Sequence, residues 1–394
     1  MSLRQMHAQV MLLAAAQALF QTASTVVITI GALAGAQVAS DPQLATAPIA
    51  AMYLGTFVTT VPASQLMARF GRRGGFIAGA LLGVAGGVLS AWGLQSRSLL
   101  ILSSGALFIG AYTAFAQFYR FAASEVANES FRPRAISFVL AGGVAAALIG
   151  PALATLGKPL LGAAYVGSFL IVSAICAVAA ALLSGLRMPT PVDAGHRKPR
   201  PLLAIMRQPV YAVALLATAT GSGVMVLAMT ATPLAMEHHH HGLSNTAIVI
   251  QAHVLGMFLP SFFTGSLIER FGVLRIMLTG AALLGGHVLL TLTGSGLASF
   301  GSALALLGVG WNFLYIGGTT LLASSYLPAE KARAQAANDL TIYVVGLTTS
   351  FIAAALLQTL GWRLMNMALL PWLFAAVIAL IWLGHTRNPA SLRR

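Results

Sequence analysis

Acidic side chains are nearly missing from this chain. Its 394 residues include eight Asp and Glu against 22 Lys and Arg, and charged residues make up only 8% of the whole. A water-soluble domain carries about 25% charged residues, so a solvated globular surface is excluded. Cysteine occurs once, at Cys176, so no intrachain disulfide can form and the usual inference from cysteine to compartment has no purchase. Cys176 is read either as a soft metal ligand or as a small packing residue in a helix. Also lacking are a phosphate-binding loop, an Asp-Lys-Thr-Gly phosphorylation site and any nucleophile constellation. ATP-driven pumping and enzymatic catalysis therefore find no support, and no resident cofactor is expected.

What the chain does have is apolar length. Hydrophobic residues make up 58% of it, and its mean hydropathy is +0.86. A membrane-spanning helix needs about 20 apolar residues. Twelve such segments are predicted, at about 8–37, 46–67, 75–96, 98–119, 134–157, 164–187, 209–236, 245–268, 273–295, 298–323, 335–358 and 363–386. The first is longer than a signal-peptide core and is not followed by a clear small-residue cleavage site, so it is read as a retained helix.

The net charge of +14 reads as topology and not as a nucleic-acid patch. With both termini inside, 19 of the 22 Lys and Arg fall in cytoplasmic segments, and only Arg97, Lys158 and Arg363 fall outside. That bias fixes the orientation. The expected partner is the lipid bilayer and not nucleic acid, and the expected state is a monomer in a bacterial cytoplasmic (inner) membrane.

The sequence is duplicated. Tyr53-Leu-Gly-Thr-Phe57, running on to Arg69-Phe70-Gly71, is echoed by Val254-Leu-Gly-Met-Phe258, running on to Arg270-Phe271-Gly272, at a constant offset of 201. The organisation expected is an N-terminal six-helix half at 1–187, a cytoplasmic linker at 188–208 and a C-terminal six-helix half at 209–394. The linker holds Pro189, Pro191, Pro199 and Pro201 among basic residues and has no apolar period.

One constellation carries chemistry. Met225 and Met229 lie four apart in the seventh segment, and His253 and Met257 lie four apart in the eighth. Residues at that spacing share a helix face. The four are read as a ladder of thioether and imidazole groups at matched depth, a ligand set that suits a soft ion such as Cu(I). Met236 and the run His238, His239, His240 and His241 in the following loop are candidates for capturing metal at an entrance. Met52, which aligns with His253 in the repeat, is a candidate accessory ligand. Asp339 and His287 are the candidates for coupling transport to protons, since ionisable groups inside a membrane mark pathways.

Gly265-Ser-Leu-Ile-Glu269-Arg270-Phe-Gly272 resembles the loop motif of the major facilitator superfamily. Ser64-Gln-Leu-Met-Ala68-Arg69-Phe-Gly71-Arg72-Arg73 is its first-half counterpart, with Ser64 and Ala68 in place of the usual Gly and Asp. The resemblance implies an all-α membrane protein of twelve transmembrane helices in two six-helix halves, working by alternating access. The paired motifs at Met225/Met229 and His253/Met257 resemble those of the CcoA-like copper importers. That narrower resemblance implies secondary import of copper ion, as Cu(I), for haem–copper oxidase assembly, with Met229, His253 and Met257 as ligands. The first rival is a facilitator-type carrier of a small organic solute such as riboflavin or a drug, for which Gln17, Gln21, Gln117 and Asn312 supply polar contacts. The second is a copper sensor or assembly partner that moves nothing.

Overall fold

The structure is a computed structural model that describes residues 3–128, 131–188, 200–327 and 330–386. All regular structure among the described residues is helical. In chain order the helices are α1 (Leu3–Val38), α2 (Ala47–Gln95), α3 (Leu99–Ala116), α4 (Tyr119–Val126), α5 (Arg132–Gly157), α6 (Val166–Leu183) and α7 (Leu202–Met206). They continue as α8 (Pro209–His238), α9 (Leu243–Phe258), α10 (Ser261–Phe271), α11 (Val273–Leu292), α12 (Leu297–Ala323), α13 (Lys331–Met367) and α14 (Leu370–Thr386).

Among the described residues, nine stretches are long and apolar enough to cross a membrane, and α9 with α10, bent by 43°, makes a tenth. Ala141–Gly157, inside α5, is a shorter apolar helix. One of the nine, Arg333–Thr386, is 54 residues long. At a rise of about 1.5 Å per residue it runs to about 80 Å, which is two crossings of a core roughly 30 Å thick. The expected twelve crossings are therefore accounted for. The backbone locates several divisions that periodicity leaves vague. The expected spans 46–67 and 75–96 are two arms of α2 joined through Gly71 (φ 81°, ψ 160°), and α13 breaks at Gly361 (φ 72°, ψ 170°). Gly272, at φ 88°, separates α10 from α11. Gly71 and Gly272 are repeat partners, so the duplication extends to the one backbone conformation that favours glycine.

The described chain forms two compact units. The first comprises Met1–Val192, Met229–Gln251 and Ser350–Gln358; the second comprises Asp193–Ala228, Ala252–Thr349 and Thr359–Arg394. In the first, α2 and α3 touch backbone to backbone. A Cβ at Gly55 would overlap the Leu107 carbonyl, and one at Gly110 would overlap the Met52 carbonyl. The Thr56 hydroxyl lies 3.0 Å from both the Met52 and Gly110 carbonyls. Around this contact Phe20 packs edge-on to Tyr112, and Phe76 edge-on to Tyr119. Cys176 is fully buried, and a Cβ at Gly83 would lie 2.7 Å from its sulfur. Its place is that of a packing residue. Arg72 forks onto Glu125 at 2.6 and 3.2 Å, so Glu125 supplies the carboxylate that the motif lacks at Ala68.

In the second unit, the end of the linker is tied down by one ion pair. Residues 189–199 lie outside the described residues, and beyond them Arg200 donates to Glu330 at 2.6 and 2.7 Å. Backbone N–H groups of Leu327 and Arg200 complete the shell at 2.9 and 3.1 Å. The Glu330 side chain is only 1% exposed. The Arg200 guanidinium, helped by the two amides, holds the Glu330 carboxyl down at about 2, against an ordinary 4.5. A depressed folded-state value contributes stability above the unfolded value and loses it as pH falls. Thermal unfolding followed against pH should show a loss of stability between about 4.5 and 2 that is missing from Glu330→Gln.

A buried polar layer in the second unit

The candidate site is built on α12 and the helices around it. Pro260 sits at the break between α9 and α10 and has no N–H to give the Gly256 carbonyl, so the helix cannot continue there. Asn312 of α12 holds the break. Its amide nitrogen donates to the Met257 carbonyl and to the Ser261 hydroxyl, both at 2.7 Å, while its oxygen accepts from the Thr264 hydroxyl at 2.7 Å. Asn312 and Thr264 are buried. In an apolar interior each such group must find a partner, and one side chain here satisfies three.

One and two turns earlier on α12 comes a close backbone approach. A Cβ at Gly308 would overlap the His253 carbonyl and lie 2.9 Å from the Met257 amide, and one at Gly256 would lie 2.8 Å from the Ala305 carbonyl. This is the Gly55/Gly110 contact of the first unit repeated. Met52 and His253 occupy matching places, with their carbonyls against Gly110 and Gly308. The imidazole of His253 is fully buried. Its Nδ1 lies 2.9 Å from the Leu304 carbonyl, so that nitrogen carries the hydrogen, and Nε2 is buried with no partner.

The neighbouring carbonyl on α12 takes the second buried histidine. His287 of α11 places Nδ1 2.9 Å from the Ala303 carbonyl and Nε2 3.1 Å from Oδ1 of Asn366. Further along α12, Trp311 and Tyr315 stack, with centroids 4.7 Å apart and planes 14° apart. The Trp311 indole N–H is likewise buried and unpaired, as are Thr220 Oγ1 and Asn338 Oδ1.

The residues singled out in the sequence fall in different places. Met225 and Met257 are half-buried, and Met229 is buried. Met225, His253 and Met257 belong to the second unit and Met229 to the first. Met52 and Met236 are buried. Asp339 is half-buried near the start of α13, with Oδ1 3.2 Å from the Asn338 amide.

The histidine run closes a helix. His241 N–H reaches the Met236 carbonyl at 2.9 Å, His240 N–H reaches the Glu237 carbonyl at 3.0 Å, and His240 has φ 61°. This pair of bonds around a left-handed residue is a Schellman cap, where glycine is the usual occupant. Replacing His240 by glycine should relieve the strain and raise stability by up to about 1 kcal/mol, read as a higher unfolding temperature in detergent. Among the described residues, no group of three or more His, Cys, Asp or Glu is placed to hold a metal ion.

The family model described as Major Facilitator Superfamily matches residues 10–258 and 214–394. The chain belongs to the Major Facilitator Superfamily. This facilitator is a multi-pass membrane protein and is 39% identical over 376 residues to the riboflavin transporter RfnT of Brucella anthropi, covering 94% of this chain and 93% of that one. Two uncharacterized transporters of the superfamily from Bacillus subtilis, YdeG and YddS, are 31% and 32% identical over 343 residues, 81% of this chain and 78% of theirs. The fold matches the crystal structure of a bacterial homolog of the human lysosomal transporter Spinster, in an inward-facing and occupied conformation. The TM-score is 0.71 at 15% identity, covering 96% of both chains.

These findings overturn copper import. A relative at 39% identity along nearly the whole facilitator carries the name of a riboflavin transporter, and nothing in the comparisons supports the CcoA-like resemblance. The physical reason lies in the evidence that resemblance used. Methionine is a common filler of membrane helices, and a spacing of four is the plain consequence of one packed face. The metal roles read for Met225, Met229, His253 and Met257, for Met236 and His238 to His241, and for Met52 lose their basis together with copper transport. What sequence reasoning missed is the work of Trp311 and Gly308, and the pinning of the helix break by Asn312, which the sequence offered only as a polar contact for an organic solute. The nearest available signals were Pro260, which forecasts a break needing a polar partner, and the repeat, which forecasts a glycine contact in each half.

Proposed function

We propose that this facilitator carries riboflavin, or a small organic solute with the same planar heteroaromatic core, across the cytoplasmic membrane, with both termini inside. The observation that carries the reading is the 39% identity to RfnT over 94% of the chain. The orientation rests on the 19-to-3 distribution of Lys and Arg.

The chemistry of the second unit fits such a solute. Riboflavin has a flat, uncharged ring system whose polar edge carries an N–H donor between carbonyl acceptors, and a chain of hydroxyls. It needs an aromatic surface and a few neutral hydrogen-bonding groups, the usual make-up of a small-molecule site. The stacked Trp311–Tyr315 pair offers the surface, the unpaired Trp311 N–H offers a donor, and the bare His253 Nε2 offers an acceptor. The Trp311 N–H and His253 Nε2 are each buried without a partner, so a bound solute that pairs them removes a desolvation cost already incurred.

The test is titration of purified protein with riboflavin, followed by quenching of flavin fluorescence. Saturable quenching is expected in the native protein. Trp311→Phe keeps the stack and loses the N–H, which should weaken binding about 5- to 10-fold for one hydrogen bond worth about 1–1.4 kcal/mol. Absence of saturable binding to the native protein would remove the riboflavin reading.

A further inference from the structure

We propose that His287 is a proton-binding site of this carrier, loaded in the arrangement seen here and emptied by movement of the last part of α13. The ground is donor and acceptor arithmetic. A neutral imidazole has one N–H and one bare nitrogen. At His287 both nitrogens face oxygens: Nδ1 the Ala303 carbonyl at 2.9 Å, and Nε2 the Asn366 side chain at 3.1 Å. Turning the Asn366 amide over would put its nitrogen toward the ring, but that nitrogen already donates to the Trp362 carbonyl at 2.7 Å, and the turn would set two oxygens against each other. With a neutral ring, one nitrogen lone pair points at an oxygen lone pair in a fully buried place. With an imidazolium, both contacts become charge-assisted hydrogen bonds. His253, bonded to the next carbonyl of α12, keeps Nε2 free and so needs no second proton. The two buried histidines of this unit thus differ in what their surroundings ask of them.

Burial opposes a charged ring here and, among the described residues, no neighbouring acidic group offsets it, so what favours the second proton is this pair of oxygens. Among the described residues, His253 is the titratable group that interacts with it electrostatically, and two charged imidazoles would repel, so one of the pair stays neutral. α12 carries no Asp, Glu, Lys, Arg or His. On α13, Arg363 is exposed. Arg275 lies twelve residues back along α11, about 18 Å away. His385 of α14 belongs to that same remote end, because Gly384 packs against Leu274 while Leu373 packs against Gly285. Glu269 and Arg270 of α10 precede the start of α11 and share that end.

The release step follows from the backbone. Asn366 and Trp362 sit just beyond the break of α13 at Gly361, and Trp362 packs on Phe300 of α12 with ring centroids 5.2 Å apart. If this segment turns about Gly361, Asn366 Oδ1 leaves Nε2, and the imidazolium gives its proton to water and becomes neutral. The only bond broken is N–H.

The decisive measurement is nitrogen NMR of protein labelled at the histidine ring nitrogens, in lipid nanodiscs at pH 7. The expected result is one buried histidine with both nitrogens protonated, absent from His287→Gln and converted to a neutral ring in Asn366→Leu. A singly protonated His287 ring in the native protein overturns the proposal, and so does a doubly protonated ring that survives in Asn366→Leu. These readouts need no substrate, so they stand apart from any failure of riboflavin to bind. In proteoliposomes, an inward proton gradient should stimulate riboflavin uptake by the native protein and not by His287→Gln. Equal stimulation of both denies His287 the coupling role.

Discussion

Gly308→Val is expected to abolish transport and strip the protein of much of its stability, with Gly110→Val doing the same in the first half. At both positions the added side chain meets a main-chain carbonyl, that of His253 or of Met52. A flexible side chain could rotate away from such a clash, but a helix backbone cannot. Overpacking a close-packed interior costs about 1–3 kcal/mol, and these sites belong at the upper end. Thermal unfolding in detergent should fall by roughly 3–4 °C. Gly265→Ala provides the contrast: a Cβ there meets nothing within 4 Å, and alanine is the better helix former, so stability should hold or rise. Loss of stability in Gly265→Ala, or none in Gly308→Val, would show that the glycine contacts do not hold these helices.

Asn312→Leu should also be severe. The substitution keeps the volume and deletes three hydrogen bonds at once, leaving the Met257 carbonyl and the Ser261 hydroxyl to find partners in an apolar interior, while the Thr264 hydroxyl keeps the Pro260 carbonyl at 2.8 Å. A stranded buried group costs about 1–3 kcal/mol. Beyond stability, the bend between α9 and α10 loses the side chain that pins it, so transport should fall further than the folded fraction does. Thr264→Val removes a single partner of Asn312 and should be milder, by about 1 kcal/mol. Unfolding temperature and uptake, measured on the same preparations, separate the two effects. Transport that tracks the folded amount in Asn312→Leu would make the pin purely structural.

The fold was legible because the bilayer imposes strict rules on sequence. Apolar length and the placement of Lys and Arg follow from the membrane, and the 201-residue offset exposed the duplication, which the structure repeats in Gly71 and Gly272. The site was not legible, because its contacts join residues far apart in the chain. His253 reaches a carbonyl 51 residues on, and Asn312 reaches back 48, 51 and 55. The spacing of Met225, Met229, His253 and Met257 states which residues share a face but not what the face touches. Residue chemistry alone then led toward a soft ion. The histidine run misled in a similar way: its composition reads as metal capture, while its backbone reads as a helix cap, a difference visible in the φ of His240 and the two N–H bonds around it.

Uptake into proteoliposomes holding only this protein bears most directly on what it carries. Labelled riboflavin and labelled copper are offered separately, the copper under reducing conditions. Riboflavin should accumulate saturably, be displaced by excess unlabelled flavin, and fall sharply in Trp311→Ala, while copper stays at the level of empty liposomes. Copper accumulation without riboflavin uptake would return the methionines and His253 to the role of metal ligands and reject the flavin carrier.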